Sequence, residues 1–148
     1  MKKLGLLFLL ISFTTFAQKH NYNTKRGYVA EGYDVVSYFD NKAEKGNKSF
    51  STTYDDVKFK FSSKENLETF IREPKKYVPA YGGYCAYAIG LKGEKVSIDP
   101  ETFEIREGKL YLFYNSWGIN TLKLWQEEGA EDLKEKADKN WLKINNED

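Results

Sequence analysis

Alternation of apolar and polar positions marks two hairpins. Phe50, Thr52 and Tyr54 share one face of a first strand. Val57, Phe59 and Phe61 share one face of a second, with Lys58 and Lys60 opposite them. Asp55-Asp56 supplies the turn, so this pair has one buried and one wet face. Further on, Phe103 and Ile105 alternate with Glu104 and Arg106, Glu107-Gly108 is a two-residue connection, and residues 110–114 return as a strongly apolar strand.

Between the hairpins the period becomes helical. Leu67, Phe70 and Ile71 stand at i, i+3 and i+4, a core-facing stripe. Ser62-Ser63-Lys64-Glu65 reads as a capping box with Ser62 as the cap. Pro74 should end this helix or open a short turn through Tyr77. Near the C-terminus, Asn120 or Thr121 caps a helix carrying Leu122, Leu124 and Trp125, and Gly129 breaks it. Residues 130–142 form another helix with Leu133, Ala137, Trp141 and Leu142, and 145–148 are a frayed tail. Val35, Val36, Tyr38 and Phe39 follow a Gly32-Tyr33-Asp34 turn as a buried run whose period does not separate helix from strand. Val96 and Ile98 mark a short strand before an Asp99-Pro100 turn. Without a βαβ rhythm the expected class is α+β: two antiparallel β-hairpins, a central short helix and C-terminal helices.

Residues 79–89, Pro-Ala-Tyr-Gly-Gly-Tyr-Cys-Ala-Tyr-Ala-Ile, hold the chain's single cysteine. The Gly82-Gly83 pair implies positive φ or close backbone approach. The stretch reads as a tight turn feeding a buried strand. Cys85 is then either an inert buried hydrophobe or a thiol lining a pocket.

Charge and the N-terminus change the picture next. Lys2 and Lys3, an apolar run from Leu4 to Phe16, and Thr15-Phe16-Ala17 match a secretory signal peptide cleaved near Ala17. The apolar run is shorter than the roughly 20 residues of a spanning helix. Residues 18–27 read as a flexible lead-in and 28–148 as a single domain, periplasmic or secreted, with no transmembrane span in the mature chain. Basic and acidic residues nearly balance (23 and 22), which leaves no basic footprint for nucleic acid. One cysteine permits no internal disulfide, so stability must come from a core for which 3 Trp, 11 Tyr and 7 of the 10 Phe are available, Phe8, Phe13 and Phe16 preceding the cleavage site.

Few catalytic patterns survive. No Cys-x-x-Cys, no paired histidines, and no phosphate or dinucleotide fingerprint is present. The single histidine, His20, sits in the lead-in, far from Cys85 in sequence, so a Cys-His dyad is not expected. His20 near a mature N-terminus could join the terminal amine on Cu(II) or Ni(II); a plain polar tail is the commoner reading. The tyrosines form either an internally bonded core or a pocket floor.

Three segments together resemble the YHS domain family, in particular its exported bacterial branch. They are Gly32-Tyr33-Asp34-Val35-Val36-Ser37-Tyr38, Phe59-Lys60-Phe61-Ser62-Ser63-Lys64-Glu65-Asn66 with Phe70, and Pro74-Lys75-Lys76-Tyr77. The Tyr-Gly-Gly-Tyr-Cys-Ala-Tyr stretch, the Gly108–Leu112 strand and Leu124-Trp125 extend the resemblance to most of the chain past residue 28. Metal-handling YHS domains, similar to the TRASH domains of heavy-metal sensors, use cysteines where this chain has Ser37, Ser62 and Asn66. The resemblance thus implies a YHS/TRASH-like core that has lost its thiolate site, since soft metals select sulfur. The family's Tyr-His-Ser triplet is also absent.

The expected function is an exported, non-catalytic binding module. Its ligand, of unknown identity (a metal ion, haem or small organic molecule), would lie between residues 79–89 and the hairpins, against Cys85, Tyr81, Tyr84 and Tyr87. The alternatives are an envelope protein–protein interaction module and, third, a thiol enzyme acting through Cys85.

Overall fold

The computed structural model describes residues 21–147. The signal-peptide reading over 1–17 and His20 fall outside the described residues. The expected lead-in does not stay apart from the domain. From residue 21 it belongs to the fold, with β1 (Thr24–Lys25) pairing antiparallel with β2 (Tyr28–Val29). Its polar residues misled because they bond to backbone rather than to water: the Asn23 N–H donates to the Gly82 carbonyl (2.9 Å) and its side-chain amide to that of Gly83 (3.1 Å).

Residues 30–32 and 37–40 form single 3-10 turns, which resolves the buried run as neither long helix nor strand. The first hairpin, β3 (Asn47–Tyr54) and β4 (Val57–Phe61), turns at Asp55-Asp56 as the alternation predicts. β2 adds to β4 in parallel, giving a four-stranded sheet in the order β1-β2-β4-β3. Helix α1 (Lys64–Arg72) is capped by Ser63, whose hydroxyl accepts from the Asn66 N–H (3.1 Å), not by Ser62. It lays Phe70 onto Phe59 and Phe61 with centroids 4.8 and 5.1 Å apart, leaves Leu67 half-buried and Ile71 57% exposed. Adjacent helical residues point about 100° apart, so once Phe70 takes the contact Ile71 turns away.

Helix α2 (Pro74–Tyr77) follows, then a 3-10 turn over 80–83 and helix α3 (Ala86–Lys92). The expected strand after Gly83 is therefore a helix. Alternating Tyr and Ala suggested period two, but the buried set Ala86, Ile89 and Gly90 follows i, i+3, i+4. Val96 and Ile98 form no strand either; the Val96 carbonyl accepts from the Cys85 N–H (3.0 Å), a single link. The second hairpin pairs β5 (Asp99–Arg106) with β6 (Lys109–Phe113), and β5 already begins at the expected Asp99-Pro100 turn. β7 (Asn115–Ser116) and β8 (Ile119–Asn120) form a minimal third hairpin around Trp117-Gly118. Asn120 caps α4 (Thr121–Glu128) by accepting from the N–H groups of Leu122 (3.1 Å) and Lys123 (3.2 Å). After Gly129, α5 (Ala130–Glu147) continues through the residues expected to fray.

The architecture is thus α+β, with two main hairpins, a short helix after the first and two helices at the C-terminal end. β6 carries the second half of the core. Leu110, Tyr111, Leu112 and Phe113 are all buried, and Trp125 packs on Tyr111 and Phe113. The Trp125 indole N–H donates to Glu104 (3.0 Å), so its burial leaves no donor unpaired. Helix α3 lies against α5 at Gly90, where a Cβ would sit 2.6 Å from the Leu133 carbonyl oxygen. Gly90→Ala should therefore lower stability by about 1–3 kcal/mol through overpacking, although alanine is the better helix former by about 1 kcal/mol. Urea unfolding followed by tryptophan fluorescence measures the sign; a more stable variant would mean that α3 and α5 do not touch at this point.

Candidate functional site

Ser37 meets Ser62 and Asn66, neighbours at the start of α1, around one carboxylate. Asp34 is fully buried. Its Oδ1 accepts from the N–H groups of Val36 (2.9 Å) and Ser37 (3.3 Å). Its Oδ2 accepts from the Ser62 N–H (2.8 Å), the Ser62 hydroxyl (2.7 Å) and the Asn66 amide (2.7 Å). The Ser37 hydroxyl is spent on the carbonyls of Asp34 (2.8 Å) and Lys42 (2.9 Å). Five donors fill the carboxylate, and hydroxyl and amide oxygens are hard ligands. The cluster does not fit a soft metal ion. Among the described residues, no group of three His, Cys, Asp or Glu side chains is placed to hold a metal. Ser62, expected to cap α1, ties Asp34 instead.

Cys85 is fully buried. The Tyr114 N–H donates to its sulfur (3.4 Å), and its sulfur lies 3.3 Å from the Thr121 hydroxyl. That hydroxyl gives its own proton to the Tyr114 carbonyl (2.8 Å), so the thiol is the donor to Thr121. Cys85 thus joins the end of β6 to the start of α4 and does not line the cleft described next.

An open cleft of about 710 Å3 lies between residues 78–82, the tips of both main hairpins and the outer face of α5. The sequence suggests a site between residues 79–89 and the hairpins; this cleft borders both, and only Tyr81 of the four named contacts lines it. Tyr84 stands behind the wall, its hydroxyl donating to the Tyr22 carbonyl (3.3 Å) and its ring near Trp141. Tyr87 faces α4, where it donates to Glu128 (2.9 Å).

Three elements build the walls. The first hairpin presents Tyr54 and Asp55, the second Glu107, Lys109 and Tyr111, and α5 presents Lys134, Asp138, Trp141 and Asn145. The N-terminal Asn21 and Tyr22 close one side. They run directly over Gly82, where a Cβ would lie 1.9 Å from the Asn21 carbonyl oxygen, and Gly82 itself holds φ +60°. Only glycine satisfies both demands. Sequence reasoning missed the α5 face, although Lys134, Asp138, Trp141 and Asn145 recur at i, i+4, i+7 and i+11. It looked for apolar stripes, and this one is mixed.

The cleft phenols are held protonated. Tyr81 donates to Asp138 (2.8 Å) and Tyr22 to Asp55 (3.0 Å). Burial first, and then those hydrogen bonds, push both phenols well above the ordinary tyrosine range. Tyr111, buried beside the charges of Asp138 and Glu107, is pushed up to about 12. A tyrosine ligand to haem iron would have to ionise, and among the described residues no His, Cys or Met lines the cleft, so the described walls do not suit haem.

No protein-family model matches the chain, and no curated protein or solved structure is similar to it.

Two outcomes follow from this geometry. A thiol-specific aromatic disulfide should label Cys85 slowly in the native protein and rapidly in denaturant, tracking global unfolding; fast native labelling would place the sulfur at the surface. The raised tyrosines set the alkaline limit. Their folded values exceed the unfolded value near 10, so the stability they contribute is intact below that pH and is lost as pH rises through the folded values. Urea midpoints should fall from about pH 10 upward, Tyr111 alone accounting for roughly 2–3 kcal/mol by pH 12. Flat midpoints to pH 12 would show these phenols ionising freely in the folded state.

Proposed function

We propose that this protein is an exported, non-catalytic, YHS-like binding module whose ligand site is the cleft between the hairpin tips and α5. The observation that carries the reading is the cleft itself. Its volume of about 710 Å3 falls in the range of small-molecule sites, and aromatic rings share its wall with carboxylates, ammonium groups and two amides. The export reading rests on the basic, apolar and small-residue order of the first 17 residues. Among the described residues no helix is long and apolar enough to cross a membrane. The likeness to YHS domains draws support from the meeting of Ser37, Ser62 and Asn66, since positions that jointly hold a metal in other members must converge in space. Here the same place holds a saturated carboxylate, so metal handling is not the function proposed.

A second reading, a protein-interaction module, is favoured by one feature. Trp117 at the tip of the β7–β8 hairpin is 93% exposed, with half-exposed Ile119 beside it. Nothing in the core needs this indole in water.

Native mass spectrometry of the chain recovered after export decides between them. The expected result is a non-covalent adduct that Cys85→Ala retains and Asn145→Trp, which fills the cleft from the surface of α5, removes. An adduct that persists unchanged in the cleft-filled variant would sink the assignment of the site. A bare chain mass, with envelope proteins crosslinking through a photoreactive group at position 117, would favour the interaction module.

A further inference from the structure

Given the cleft as the binding site, we propose that its ligand is a ring-bearing organic anion, its carboxylate or phosphate held by Lys75 and Lys109; this step rests on the cleft reading. The polar groups of the wall are unequally engaged. Lys134 lies 3.5 Å from Glu107 and 3.9 Å from Asp138. Asp138 also accepts from Tyr81, and Asp55 accepts from Tyr22. Every carboxylate in the wall therefore already has a protein donor. The two remaining cations do not have the converse. Among the described residues no hydrogen bond or ion pair engages Lys75 or Lys109, and both are exposed. Lys75 on α2 and Lys109 on β6, elements that lie against each other, both line the cleft.

The rest of the wall restricts what the anion is attached to. Tyr54 and Trp141 are half-buried, each with part of its ring packed into the protein: Tyr54 edge-on to Phe70, Trp141 against Tyr81. Their remaining surface borders the cleft and takes an apolar or aromatic ring at little entropic cost, because the rings are already held. A bare inorganic anion would leave this surface and most of the volume unused. A ligand cation would meet carboxylates already satisfied and two unpaired lysines of like charge.

Four probes of one shape test the charge: benzoate, phenyl phosphate, benzyl alcohol and benzylamine, titrated into the exported chain and followed by amide and indole NMR. The expected result is saturable shifts at Lys75, Lys109 and the Trp141 indole with an anionic probe, weakening as salt is raised. Lys75→Ala/Lys109→Ala, two exposed changes that leave the thermal midpoint near that of the parent, should weaken that binding by about tenfold or more, the scale of a charged hydrogen bond. Preference for benzoate or for phenyl phosphate identifies the anionic group. Equal or tighter cleft binding of benzyl alcohol or benzylamine overturns the anion while leaving the cleft as the site. Unchanged benzoate and phenyl phosphate affinity in the double variant also overturns it. If no probe perturbs the cleft, the anion proposal falls, and the adduct test with Asn145→Trp decides separately whether the cleft binds anything.

Discussion

The buried Asp34 carboxylate is the constraint on which the first half of the fold depends. A charge removed from water survives only when its oxygens are filled by well-placed donors. Here the donors come from three places: the backbone of the following turn, the residue after β4, and the first turn of α1. One side chain therefore fixes where the 34–37 segment lies, where the first hairpin ends and how α1 begins. Ser62 cannot both fill Asp34 and cap the helix, so the cap passes to Ser63. The Phe70 contact with Phe59 and Phe61 then follows from the angle at which α1 leaves the sheet.

The second half is organised by aromatic rings whose buried polar atoms all have partners among the described residues. Trp125 reaches Glu104, Tyr38 reaches the Pro100 carbonyl (2.6 Å), and Tyr81 reaches Asp138. Among the described residues no buried side-chain nitrogen or oxygen is left without a partner. That economy explains why so tyrosine-rich a chain folds around one core without a disulfide. It also gives the cleft its character. A phenol already bonded to a carboxylate presents its ring to the cleft while its hydroxyl stays engaged.

Local alternation made the two main hairpins legible, because a strand with one wet face writes its period directly into the chain. Asn120 as a cap and the helix break at Gly129 were legible for similar local reasons. Residues 84–88 were not, since small residues between tyrosines produce a false period of two when a helix packs closely against another helix. The lead-in was misjudged because Asn21 and Asn23 look solvated in sequence, while their partners, Asn145 and the Gly82 and Gly83 carbonyls, lie 59 to 124 residues away. Of the four contacts named from the sequence only Tyr81 lines the cleft. The single cysteine drew attention to Cys85 and Tyr87, which tie α3 to the end of β6 and to α4, and to Tyr84, which meets Tyr22 and Trp141.

The Gly82-Gly83 pair reconciles these observations. It reads in sequence as a tight turn feeding a buried strand, and its role is closer to a saddle. By having no side chain at Gly82, the chain lets residues 21–23 cross over it and bond to both carbonyls. That crossing brings Tyr22 to Asp55 at the first hairpin tip and Asn21 to Asn145 on α5. The N-terminal segment thereby links two walls of the cleft that share no strand pairing. Any side chain at position 82 would displace the crossing segment and open that side, so the site depends on a residue that contributes no side-chain atom to it.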